Sequence, residues 1–124
     1  MKITVSTLRK KLFMGNLDRI KLIKQFTEDE PENPFNWYAL ALEYREIDPN
    51  QTEDLFSKLL QSHKSYLPTY FPAAHFFAED GQIMKAQEIF LAGIEVAKAD
   101  NNQKTLKELK NAYLNFCFEN DLDD

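Results

Sequence analysis

Trp37-Tyr38-Ala39-Leu40-Ala41-Leu42-Glu43-Tyr44 carries an apolar spacing that returns one repeat later, over residues 70–77. Residues three, four and seven apart share one face of an α-helix, so Trp37, Leu40, Ala41 and Tyr44 line a single stripe. That stripe reads as a knob, a filler, a notch and a second knob, and its small residue lets another helix approach. Tyr70, Ala73, Ala74 and Phe77 repeat the order, and the downstream helix supplies Ala86 and Phe90 at the spacing A-x-x-x-F. Phe56 and Phe90 stand 34 residues apart, whereas Trp37 and Tyr70 stand 33 apart. The turn Asp48-Pro49-Asn50 is where the missing residue is expected.

These slots resemble the tetratricopeptide repeat family, whose signature is W-x-x-L-G-x-x-Y followed by A-x-x-x-F and a proline, with a period of about 34 residues. The resemblance runs from residue 33 to residue 99. Some slots depart from the pattern: Thr52 stands where the family has alanine, Ala73 replaces its leucine and Ala74 its glycine. The resemblance implies an all-α fold of antiparallel helical hairpins, stacked as a short solenoid with a C-terminal capping helix, as in a small two-repeat protein of bacterial type. Its expected parts are a basic arm or short helix over residues 1–16, a single helical domain over 17–120 and an acidic tail over 119–124. Within the domain lie a half repeat at 17–30, repeats at 33–66 and 67–100, and the cap at 105–118.

Composition agrees with this class. The 124 residues are 44% apolar and 13% aromatic, enough for one hydrophobic core, and the three glycines and five prolines sit near expected helix ends. The net charge of −5 is unevenly spread: Lys2, Arg9, Lys10 and Lys11 occupy the first thirteen residues without an acid. An acidic body argues against nucleic acid as a partner, because phosphate binding needs a basic face. The single cysteine, Cys117, excludes an internal disulfide and a multi-cysteine zinc site, which fits a reducing compartment. No apolar run reaches the ~18 residues of a membrane span. The N-terminal stretch lacks the apolar core and cleavage site of a secretory signal, so the expected location is the cytoplasm.

Taken in order, Leu8, Leu12 and Phe13 form one face of a short basic helix that Gly15 and Asn16 end, or else belong to a flexible arm. The segment is too short for membrane contact to be expected. Leu17, Ile20, Ile23 and Phe26 then recur at helical spacing, with Asn16 as the N-cap and Pro31 beyond the end. Asn33 caps the next helix and Pro34 takes its first position; this helix is expected to reach about Ile47 before Asp48-Pro49-Asn50 breaks it. The following helix bears Leu55, Phe56, Leu59 and Leu60. Thr69 is placed to cap a helix with Pro72 in its first turn, and Gly81 to end it in the left-handed conformation. Ile83, Ala86, Phe90, Gly93 and Ile94 mark the partner helix, where Gly93 offers a flat spot. In the last helix Leu106, Leu109, Tyr113 and Phe116 share one face, and Lys104, Lys107, Glu108, Lys110 and Asn111 form the solvent side of a cap.

No catalytic, metal or cofactor constellation emerges. His63 and His75 lie on different helices with no cysteine pair, the glycines are isolated, and no nucleophile elbow occurs. The family resemblance implies instead a concave surface made by the first helix of each repeat. Its inward residues would be Phe35, Tyr38, Leu42, Arg45 and Glu46 from the first repeat, and Phe71, His75, Ala78 and Glu79 from the second. One subclass of the family clamps a C-terminal carboxylate with lysine, asparagine and arginine on this face, whereas this chain offers Tyr38, Leu42 and His75, so a carboxylate clamp is not expected. The expected partner is a protein that supplies an amphipathic helix or an extended apolar peptide. The alternative is a homodimer whose groove is covered by its own terminal helix.

Overall fold

Thr4 opens the first helix, its hydroxyl oxygen accepting from the Thr7 N–H at 3.1 Å, which satisfies one donor that every helix start leaves free. The computed structural model describes residues 4–123, those at 8–14 as backbone alone. Among the described residues there are six α-helices, one 3-10 turn and no strand. The first three helices are α1 (Val5–Asp29), α2 (Pro34–Tyr44) and α3 (Pro49–Ser62). The 3-10 turn Leu67–Thr69 then leads into α4 (Tyr70–Glu79), α5 (Ile83–Ala99) and α6 (Gln103–Glu119). The chain divides into two compact units at Ser57 and Lys58, inside α3.

In the first unit α1 runs unbroken through Gly15 and Asn16, where the sequence suggests a boundary between an arm and a half repeat. A glycine inside a helix costs only about 1 kcal/mol, and the Asn16 side-chain oxygen Oδ1 accepts from the Arg19 guanidinium instead of capping a new helix. The proposed face of Leu8, Leu12 and Phe13, with the cations Lys2, Arg9, Lys10 and Lys11, lies outside the described residues. Of the expected stripe only Ile20 is buried, joined by Thr27, while Leu17 and Phe26 stay exposed. Arg19 ties α1 to α2 through Glu43 Oε1 at 3.1 Å.

Asn33 caps α2 as expected, accepting from the Phe35 N–H at 3.0 Å, and Pro34 is its first residue. The helix stops at Tyr44, short of Ile47: the Arg45 N–H bonds the Leu42 carbonyl, and the Asp48 N–H bonds that of Tyr44 at 2.8 Å. Pro49 therefore opens α3 rather than belonging to a break, in keeping with its tolerance at a first helical position. Leu40, Ala41 and Tyr44 form the buried stripe with Asn36, whereas Trp37 is half-buried with its indole N–H donating to the Pro31 carbonyl at 2.8 Å. Thr52 is fully buried and its hydroxyl donates to the Ala41 carbonyl at 3.0 Å. That bond joins α3 to the notch in α2.

The second unit is built on α5, which packs between α4 and α6. Ala73, Ala74 and Phe77 of α4 are buried, as are Ala86, Ile89, Phe90 and Gly93 of α5; each large side chain removed from water contributes about 1.5–3 kcal/mol. The expected Thr69 cap does not form: its backbone is already helical, and its hydroxyl is buried without a partner. The 3-10 turn replaces the cap, since the Tyr70 N–H bonds the Leu67 carbonyl. Gly81, at φ 81°, takes the left-handed conformation that closes α4. Asn102 starts α6 by accepting from the Thr105 N–H at 3.1 Å. Leu109, Tyr113, Phe116 and Cys117 are the buried residues of α6, and the Phe90 ring lies 5.2 Å from Phe116 and 5.9 Å from Tyr113.

Candidate partner-binding site

Phe71, His75, Ala78 and Glu79 recur at the spacing of one helix face, and in the second unit they form one wall of a cavity of about 770 Å³. The opposite wall belongs to α6, where Glu108, Asn111, Asn115 and Glu119 repeat every third or fourth residue. Phe90 and Phe116, both buried, close it from beneath. His75 joins the exposed and buried aromatics: its ring centroid is 4.5 Å from Phe71 and 5.6 Å, edge-on, from Phe90. Phe71 keeps 41% of its surface exposed. The terminal helix thus stands beside this part of the surface as a second wall and does not lie over Phe71 and His75.

Glu108 and Asn111, exposed as expected of the solvent side of a cap, also line the cavity, together with Asn115 and Glu119, which the spacing argument did not select. Their signal was the i, i+3, i+7, i+11 spacing along α6, a polar stripe beside the apolar one. The lining carries three carboxylates, Glu79, Glu108 and Glu119, and no lysine or arginine. In size and mixed lining it falls within the range of ligand-binding clefts.

The remaining sequence-selected residues lie on or beside α2, in the first unit. Phe35, Tyr38 and Leu42 follow one another at three- and four-residue steps, with Arg45 one step past the helix end. Phe35 is 58% exposed, Tyr38 and Leu42 are half-buried, and Arg45 is exposed. Each set shares one face of its own helix: Phe35, Tyr38 and Leu42 on α2, and Phe71, His75 and Glu79 on α4.

Two solved structures are similar to the chain. One is the solution NMR structure of a tetratricopeptide repeat domain protein from Salinibacter ruber, 33% identical, with a TM-score of 0.66 over 70% of this chain and 89% of that one. The other, a crystal structure of a tetratricopeptide repeat domain protein from the same organism, is 32% identical, with a TM-score of 0.64 over 68% of this chain and 96% of that one. The chain belongs to the tetratricopeptide repeat family. Scanning family models and searching curated proteins give no match.

As a tetratricopeptide repeat protein the chain has an all-α fold of the helical solenoid class, and its family points to a protein-interaction module in general. Among the described residues no helix is long and apolar enough to cross a membrane, and no group of three or more histidine, cysteine, aspartate or glutamate side chains is placed to hold a metal ion.

Proposed function

We propose that this tetratricopeptide repeat protein is a non-enzymatic adaptor of the cytoplasm that holds a peptide or helix of another protein against the first helices of its repeats. The contact residues would be Phe35, Tyr38, Leu42 and Arg45 on the α2 side, and Phe71, His75 and Glu79 on the α4 side. The observation that carries this reading is the cavity between α4 and α6, with Phe71 and His75 exposed at its wall and an aromatic base beneath them. Exposed aromatics over a buried aromatic base suit an apolar anchor, the kind of contact that dominates interface energies.

Affinity capture from source-cell lysate tests it, with wild-type chain beside a Tyr38→Ala, Phe71→Ala double variant whose helicity is verified by circular dichroism. The expected result is a protein retained by the wild type and lost from the variant; identical captures would remove these residues from the site. Leu114 and Phe118, one helical turn apart on α6 and both exposed, the latter 87%, favour a second reading in which the protein is a homodimer. A mass that stays at 14.5 kDa at every concentration excludes that reading.

A further inference from the structure

We infer that the α4/α6 cavity takes a cationic amphipathic segment of a partner protein, its lysine or arginine ends meeting Glu79, Glu108 and Glu119 and its apolar side chains resting against the exposed Phe71. This rests on the interaction-module reading above. The three carboxylates lie on two different helices that face each other across the cavity. Neither the ion pair of Arg19 with Glu43 nor that of Lys98 with Glu95 engages any of them. Lys104, one turn ahead of Glu108, is outside the lining, and α4 contains no lysine or arginine at all.

A cleft of one sign with apolar walls focuses its field and draws in the opposite charge. An anionic segment would set its carboxylates against three like charges, which disfavours it. Lysine and arginine answer both features of the lining, because their aliphatic stems cover apolar surface while their charged ends stay at the wet rim. Arginine gains further from stacking on an exposed ring such as Phe71.

The test uses the full chain and two dye-labelled helical peptides, one with a leucine stripe flanked by lysines, the other with glutamate in place of each lysine. Binding is followed by fluorescence anisotropy for three proteins: wild type; Glu79→Gln, Glu108→Gln, Glu119→Gln; and a charge-matched control, Glu28→Gln, Glu32→Gln, Glu88→Gln, at exposed positions outside the cavity. The lysine peptide should bind the wild type and the control alike and the cavity variant about ten-fold or more weakly. Raising salt from about 0.05 to 0.5 M should narrow that gap.

Equal loss in the control, or no binding of the lysine peptide to wild type, overturns the inference. A Phe71→Ala variant separates its failure from that of the adaptor reading. If the glutamate peptide binds better and loses affinity in Phe71→Ala, the groove stands and its cationic preference falls. If neither peptide responds to Phe71→Ala, the groove falls too. Self-association abolished by the cavity variant alone would assign the site to a second copy and overturn the partner assignment.

Discussion

A Cβ built on Gly93 would lie 2.7 Å from the Cβ of Tyr70, well inside the ~3.5–4.0 Å at which carbon atoms pack. Tyr70 cannot swing away, because its Cβ moves only with the α4 backbone and its hydroxyl donates to the Lys64 carbonyl at 2.6 Å. Gly93→Ala should therefore destabilise the protein by about 1–3 kcal/mol, despite the ~1 kcal/mol by which alanine suits a helix better than glycine. Urea unfolding followed by circular dichroism measures it; an unchanged or raised midpoint would mean that α4 and α5 part freely. The sequence showed that Gly93 marks a close approach but not that Tyr70 makes it, since no local signal pairs the two. Thr52 is similar. Read along the chain it is a lapse from the family alanine, yet in the fold its hydroxyl serves the Ala41 carbonyl, a last-turn acceptor that Arg45 bypasses in favour of Leu42. Such a role depends on the meeting of two helices and leaves no trace in the local pattern.

The helix ends that were legible are those fixed by one residue's own chemistry: Asn33 as a side-chain cap, Pro34 at a first position and Gly81 at positive φ. The ends that misled are those where two signals compete. Thr69 looks like a cap, but Pro68 and its neighbours form a 3-10 turn that carries the chain into α4 without one. Gly15-Asn16 looks like a helix terminus, yet α1 continues through it. Space at Gly15 is ample, the nearest atom to an added Cβ being Arg19 Nη1 at 3.8 Å. Gly15→Ala should thus raise stability by about 0.5–1 kcal/mol, the opposite sign to Gly93→Ala. Thermal unfolding at 222 nm, a wavelength at which helix loss is read directly, decides the matter with a gain of about 2–5 °C in the midpoint. A lower midpoint would show that Gly15 ends a helix in solution, as the sequence alone suggests.

Over the whole molecule, the repeat rhythm predicted the helices well because burial recurs at fixed spacing, and in the second unit α4 packs on α5 as its hairpin requires. Burial is also unequal between helices. In α5, Ala86, Ile89, Phe90, Gly93, Ile94 and Ala97 are all buried, with α4 and α6 both packed on that helix. Between residues 15 and 29 of α1 only Ile20 and Thr27 are buried. Opening α1 over that stretch exposes little apolar surface, whereas opening α5 exposes the core of its unit, so local unfolding should cost far less in α1. Native-state hydrogen exchange should accordingly show α5 amides exchanging slowest and those of residues 15–29 markedly faster, by an order of magnitude or more, since each ~1.4 kcal/mol of opening energy is tenfold in rate. Equal protection in the two helices would mean that they open in one cooperative event, and that the division at Ser57 and Lys58 is no energetic boundary.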